Sequence, residues 1–403
     1  MLTALETGQV KVRATFSGAP YLWVKTVTIN ESYEGTYFFS NAEYGQYMQI
    51  DNNSSASAEG AYFELRDFDG ATYQRFEIVY IADGYYKILS KASGKALTAP
   101  SSLDANIVQQ IYTGANTQQW IVTKNSDGRF LFSPRSNPSY YMAAGDGAFT
   151  SNGRNIEMRA SQSDDKDEWK LTKIQYHASV FNYYDMGYPI RYGESATVAS
   201  SKIESYVDAV ANQYLKIFGL ELTIANATYY QSPIDICKGT VSSSNIDDIC
   251  SHDGIVHSER SNVITDFYAS HIGDSTTTNV LWSCHKISST ATNGETNYNR
   301  SCSYKHCIFL IEISTFFRKR DSQGVLMHEI NHQYDAKDHY HELADNNDDS
   351  SCKFKDICSE CGDNPRSSSC IMNNARIDIS NEDVICPECQ NDILTHLNNH
   401  HTN

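Results

Sequence analysis

The sequence predicts a multidomain chain, an all-β N-terminal part followed by an α/β (α+β) part. Three observations carry this reading. One pattern occurs three times between residues 35 and 173; all 11 cysteines lie at or beyond Cys237; and a helical periodicity begins past Tyr176 and leads to HEINHQYDAKDHY at residues 328–340. At 403 residues the chain exceeds one ordinary domain.

The repeat opens as GTYFFSNAEYGQYMQI from Gly35, GYYKILSKASGKALTA from Gly84 and GRFLFSPRSNPSYYMAA from Gly128. Each copy reads as a glycine, an alternating apolar strand, a turn of Gly, Ser or Asn, and a second short strand. Each copy also closes alike, on Gln74-Arg75-Phe76, Gln118-Gln119-Trp120 and Asp167-Glu168-Trp169, followed by another apolar strand. Short strands at this spacing, punctuated by turn residues, fit a barrel or sandwich. Residues 1–34 precede the first copy, and VKVRATF and YLWVKTVTI within them alternate like strands.

Past Tyr176 the texture changes. Ile203, Val207, Val210, Tyr214 and Ile217 recur at helical spacing, and the helix is expected to end at Gly219. NVLWSCHKI and CIFLIEIS read as strands, FFRKRDSQGVLMHEINHQY as a helix capped by Asp321 or Ser322, and CPECQNDILTHLNN as a last helix. The polar stretch ADNNDDSS reads as a solvated loop.

On a helix, His328 and His332 are one turn apart and share a face, so two imidazoles can reach one ion. Glu329, beside the first, is placed to activate a water on the metal rather than to bind the metal itself. A third ligand must come from the returning chain, and Asp338 and His339 compete for it. Asp338 has the better register, and carboxylate ligation of zinc is normal; His339 has the softer donor. Glu382 and Glu388 are the donors that a more distant third ligand would use. Asp335 stands where the helix must break, and aspartate is among the few residues that tolerate a left-handed turn.

The cysteines admit two readings. They form structural disulfides of a secreted domain, or Cys358-x-x-Cys361 and Cys386-x-x-Cys389 hold a second, structural zinc. The net charge of −17, with 49 acidic against 32 basic residues, argues against nucleic-acid and anionic-membrane partners. No run of about eighteen apolar residues reads as a membrane span. The start has no basic n-region before an apolar core, so no signal peptide is visible; the cysteines favour a mature secreted form.

Three repeats closing on a Q-x-W-like step resemble the ricin-type β-trefoil lectins over about residues 35–174. The resemblance implies that Phe76, Trp120 and Trp169 pack into a pseudo-threefold core. It also implies that Asp51, after YMQI, and Asp146, after YMAAG, are sugar-binding candidates, whereas the middle copy has ALTAPSS and no acid. From residue 175 to 403, the H-E-x-x-H, an acid ten residues after the first histidine and Ser369-Cys370-Ile371-Met372-Asn373 resemble the metzincin metallopeptidases. The Asp338-His339-Tyr340 ending is similar to the snapalysin type. This resemblance implies a catalytic zinc on His328, His332 and Asp338, Glu329 as general base, and Met372 beneath the site. Together the two imply a secreted zinc endopeptidase acting on protein or glycoprotein, with an attached glycan-binding module. The alternative is a lectin whose peptidase-like part is inactive or structural.

Overall fold

The computed structural model describes residues 8–15, 22–29, 32–51, 57–146, 152–160, 164–184, 196–230, 267, 271, 276–283, 294–296, 307–311, 319–334, 336, 379 and 384–400. The chain divides into two compact units, Met1–Lys173 and Ile174–Asn403.

In the first unit, the two alternating segments ahead of the repeats pair with each other. β1 (Gly8–Thr15) and β2 (Leu22–Ile29) form an antiparallel ladder with Gly8 opposite Ile29. Each repeat then supplies four strands. The first gives β3 (Gly35–Asn41), β4 (Tyr47–Ile50), β5 (Phe63–Arg66) and β6 (Phe76–Ala82). The second gives β7 (Tyr85–Ser90), β8 (Ala96–Thr98), β9 (Val108–Gln110) and β10 (Trp120–Lys124). The third gives β11 (Phe130–Pro134), β12 (Tyr140–Ala144), β13 (Arg154–Ala160) and β14 (Trp169–Ile174).

The outer strands of each repeat close a ring. β3 pairs with β6, β6 with β7, β7 with β10, β10 with β11, β11 with β14, and β14 returns to β3. A closed ring leaves no unpaired strand edge. The inner strands form three hairpins, β4–β5, β8–β9 and β12–β13. Bridges join them into a triangle: Tyr62 to Val108, Asn106 to Glu157, and Arg154 to Leu65. This is a β-trefoil, and its turns follow the sequence. Asp83 and Gly84, the two residues between β6 and β7, take φ of 54° and 83°, the left-handed pair that suits a tight hairpin.

The closing aromatics Phe76, Trp120 and Trp169 have no exposed surface. The inward residues of the opening strands, Phe39, Ile88 and Phe132, meet them in one core. Phe39 lies 5.6 Å from Phe76, 5.1 Å from Phe132 and 6.5 Å from Trp169, centroid to centroid. Both indoles also donate to hairpin carbonyls: Trp120 Nε1 to Leu97 O at 3.1 Å and Trp169 Nε1 to Met142 O at 2.9 Å. Phe76 fills the same role without a donor. The glutamines of the Q-x-W step tie the loops before the closing strands. Gln118 Nε2 donates to Ile111 O at 2.9 Å while its Oε1 accepts from Thr113 N at 2.7 Å, and Gln74 Nε2 donates to Asp67 O at 2.8 Å.

The second unit is a mixed sheet with helices. β15 (Tyr176–Tyr184), α1 (Ala196–Phe218), β16 (Leu220–Ile224), β17 (Thr228–Tyr229), β18 (Thr277–Ser283), β19 (Gly294–Thr296), β20 (Cys307–Ile311), α2 (Lys319–Gln333) and α3 (Pro387–His400) follow in order. The sheet runs β16-β15-β18-β20-β19, with β17 also on β15. All neighbours are parallel except β19 on β20. Along β15, Tyr176, Ala178, Val180, Asn182 and Tyr184 are buried in strict alternation, so one face carries the core.

On α1, Ile203, Val207, Val210 and Tyr214 are buried as their spacing predicts. Phe218 rather than Ile217 completes the stripe. Gly219, at φ 65°, ends the helix, and its N–H returns to Leu215 O at 3.1 Å. α2 begins at Lys319, so positions 321 and 322 are helical rather than capping; Lys and Arg are good helix formers and extend the helix toward its start. α3 starts with Pro387, whose missing N–H costs nothing in a first turn. Ile393 and Leu397 of α3 are buried.

Trp120→Ala is expected to destabilise the trefoil by about 3–5 kcal/mol through cavity formation. Trp120→Phe should cost only about 1–3 kcal/mol, since it chiefly leaves the Leu97 carbonyl unsatisfied. Denaturant unfolding separates the two; equal losses would remove the hydrogen-bond account.

Candidate functional site

Two places gather chemistry: the hairpin ends of the trefoil, and helix α2.

In the first repeat, Asp51 follows β4 and is 2% exposed, with its N–H donating to Tyr62 O at 2.9 Å. The partner strand β5 adds an ion pair, half-buried Arg66 Nε to buried Glu64 Oε1 at 2.7 Å. Gln49 Nε2 donates to Glu64 Oε1 at 3.4 Å, and Gln74 Nε2 donates to Gln49 Oε1 at 3.2 Å. The hydrogen bond to Glu64 holds the Arg66 guanidinium above its ordinary range, and the negative fields of Glu64, Asp51 and Asp67 add to it. A run of carboxylate and amides, buried except at its Arg66 end, thus links the hairpin to the Q-x-W step.

The third repeat repeats the ion pair. Glu157 and Arg159 on β13 match Glu64 and Arg66 in register, with Arg159 Nη2 to Glu157 Oε2 at 2.8 Å. The sequence carries these pairs as E-L-R and E-M-R, a signal that strand alternation alone does not single out. In the middle repeat the same places hold Val108 and Gln110.

The same register puts Gly145, not Asp146, in Asp51's place, since Ile50 faces Phe63 and Ala144 faces Ile156. A Cβ at Gly145 would meet Glu157 Oε1 at 2.7 Å, so no acid fits there without displacing Glu157. Asp146, one residue on, is 55% exposed and engaged by cations. Lys166 Nζ lies at 3.0 Å, and Arg159 Nη1 bonds its other oxygen. The hydrogen bond from Lys166, then that from Arg159, lowers the Asp146 pKa. Nearby, Arg154 Nη1 donates to Gly145 O at 2.6 Å, and its guanidinium lies 4.1 Å from the ring centre of half-buried Tyr44. Carboxylate oxygens, a guanidinium fork and an aromatic face are the groups that hold sugar hydroxyls and ring faces.

Helix α2 carries the histidine motif. His328 and Glu329 are buried, 5% and 6% exposed, among Val325, Leu326, Met327 and Ile330. The helix is continuous through residue 332, so positions 328 and 332 share a face one turn apart. Asn331, between them, accepts from Tyr214 OH of α1 through Oδ1 at 2.6 Å, and the same hydroxyl lies 3.3 Å from Met327 O. Burial raises the Tyr214 pKa far above the usual phenol range, and it raises that of Tyr334 as well. The helix stops soon afterwards: Ala336 N–H returns to Asn331 O at 3.1 Å, a bond that closes a helix end.

Asp335, Asp338, His339, Met372, Glu382, Cys358 and Cys361 lie outside the described residues. Among the described residues no three His, Cys, Asp or Glu side chains gather around one point; of the candidate ligands of the helix zinc site, only His328 has a described side chain. Cys386 and Cys389 are buried with their Sγ atoms 3.5 Å apart, a thiol contact rather than an S–S bond. Among the described residues no helix is long and apolar enough to cross a membrane.

The family model described as ricin-type beta-trefoil lectin domain-like matches residues 22–106 and 72–159. The N-terminal unit carries a ricin-type β-trefoil lectin-like domain. The match and the closed six-strand ring agree on it. Of solved structures, the designed 3-fold symmetric protein ThreeFoil is 28% identical, covering 34% of this chain and 98% of its own at a TM-score of 0.32. A mosquitocidal holotoxin is 23% identical, covering 38% of this chain and 18% of the toxin at 0.34. A Polyporus squamosus lectin bound to a sialylated epitope is 13% identical, covering 36% of this chain and 51% of the lectin at 0.31. No curated protein matches the chain.

Because its folded pKa is lowered, Asp146 adds stability that is full above the ordinary aspartate pKa and is lost as pH falls through the folded value. Asp146→Asn should therefore unfold more easily than wild type at about pH 7, by a margin that shrinks toward about pH 2. Denaturation midpoints at the two pH values check this; an undiminished gap at the lower pH would exclude the ion-pair account.

Proposed function

We propose that the chain is a secreted, zinc-dependent endopeptidase whose ricin-type trefoil binds glycans. It would hydrolyse peptide bonds of protein or glycoprotein substrates. The observation that carries the peptidase reading is the adjacent pair His328 and Glu329, both buried on α2, with position 332 one turn further on the same helix. An imidazole and a carboxylate adjacent on one helix, with a second histidine one turn on, are the ligand and base set of a zinc hydrolase. α2 also follows β20, a parallel strand, and ligand sites in sheets of this kind gather beyond the carboxyl ends of strands.

The donor set fits zinc. His328 and His332 would hold the ion with Asp338 as third ligand, and Met372 would form the floor, as in the metzincin peptidases that the motif resembles. A zinc ion held there would polarise the scissile carbonyl and lower the pKa of water. Glu329 would take the proton of the attacking water and pass it to the leaving amine. Glu329 is buried, which limits the access of bulk water to it.

The trefoil reading rests on the family match together with the carboxylate–arginine pairs of the first and third hairpins. The first and third repeats are the sugar sites of this proposal, with Asp51 serving the first and Asp146 and Arg159 the third; the middle repeat is structural. Secretion is supported by the 11 cysteines of the second unit. Paired as disulfides they leave one zinc per chain, whereas Cys358, Cys361, Cys386 and Cys389 as thiolates would hold a second. The family match also favours a second reading, a glycan-binding protein whose second unit is structural.

Elemental analysis should find zinc in the purified chain and lose it in His332→Ala. Glu329→Ala should keep the metal and lose peptide cleavage by about 10²-fold or more. Protein without zinc that leaves every peptide library intact would sink the peptidase reading and leave the lectin. A glycan array with no bound sugar would sink the lectin reading instead. Thiol titration beside the metal count separates the disulfide form from a two-zinc form.

A further inference from the structure

Helix α2 has no apolar stripe to fix its rotation. Val325, Leu326, Ile330 and Met327 spread over more than half of its circumference, and every side chain described from Gln323 to Asn331 is buried. Hydrophobic burial is non-directional, so it stabilises the helix in place without choosing an angle about its axis. Metal binding does demand an angle. A turn of about 20° carries an atom about 6 Å from the axis through about 2 Å, whereas ligand distances must hold to about 0.2 Å.

A directional contact exists at the required place. Tyr214 of α1 reaches Asn331 Oδ1 at 2.6 Å and lies 3.3 Å from the Met327 carbonyl. Met327 and Asn331 are one turn apart, and each immediately precedes or follows a residue of the histidine motif. The Tyr214 ring is wedged between Phe218, at 5.9 Å, and Tyr334, at 5.8 Å and nearly perpendicular, so the hydroxyl has a fixed origin. A phenylalanine would fill the same space with no polar group to satisfy. The buried hydroxyl therefore contributes orientation, which a hydrocarbon cannot supply.

We propose that Tyr214 and Asn331 are positioning residues that set the rotation of α2, so that positions 328 and 332 present their imidazoles to one zinc ion. The inference rests on the reading of α2 as a zinc helix.

The test is zinc affinity of the full chain, measured against a competing chelator in Tyr214→Phe, Asn331→Ala and the double variant. Val207→Ala, a cavity on the same helix α1 away from this contact, is the control for lost stability. The expected result is a dissociation constant raised about 10-fold in each single variant, no further rise in the double, and no change in Val207→Ala. Wild-type affinity in folded Tyr214→Phe and Asn331→Ala would overturn the positioning role while leaving the zinc site standing. A wild-type chain that binds no zinc would overturn the zinc helix and this inference with it. If Tyr214→Phe does not fold, Asn331→Ala decides, because Tyr214 keeps the Met327 carbonyl as a partner there.

Discussion

The trefoil depends on one constraint: six strands drawn from three repeats must close on themselves. Closure satisfies every strand edge of the barrel, and it is possible because each closing aromatic pairs into the next repeat. Phe76 stands opposite Ser90 and Trp120 opposite Pro134, and the backbone of Ala42 bonds Glu168 beside Trp169. The large side chains at these joints fill the axis, so the hydrogen-bonded ring and the apolar core are made by the same residues. The hairpins are then held at fixed positions around the barrel, and their ends carry the polar groups.

Threefold symmetry of backbone does not extend to chemistry. The first and third hairpins keep a glutamate and an arginine two residues apart, and the middle one has apolar and amide groups instead. The first and third also differ from each other. In Asp51's place the third repeat has Gly145, packed close against Glu157, and its acid stands one residue on, at Asp146, among cations.

The second unit follows a different logic. Its sheet is mostly parallel, and one face is covered by an apolar core that includes α1 and α2. Within that core a few buried polar pairs carry direction: Tyr214 to Asn331, and Trp282 Nε1 to Asn182 Oδ1 at 3.2 Å between adjacent strands. Each satisfies both partners, which is the condition for a polar group to be tolerated in such a place.

The sequence by itself determined what depends on local pattern. The repeats, the Q-x-W aromatics, the stripe of α1 and its stop at Gly219 were legible because alternation, helical period and left-handed glycine are properties of neighbouring residues. The placing of His328 and Glu329 on one helix was legible for the same reason. Only the tertiary structure decided what depends on partners distant in the chain. The register across β12 and β13 separated Asp146 from Asp51's place and set Glu157 and Arg159 in line with Glu64 and Arg66, and a tyrosine more than a hundred residues away met Asn331. Cross-strand register and helix rotation are set by packing of the whole unit, and no short window of sequence contains them.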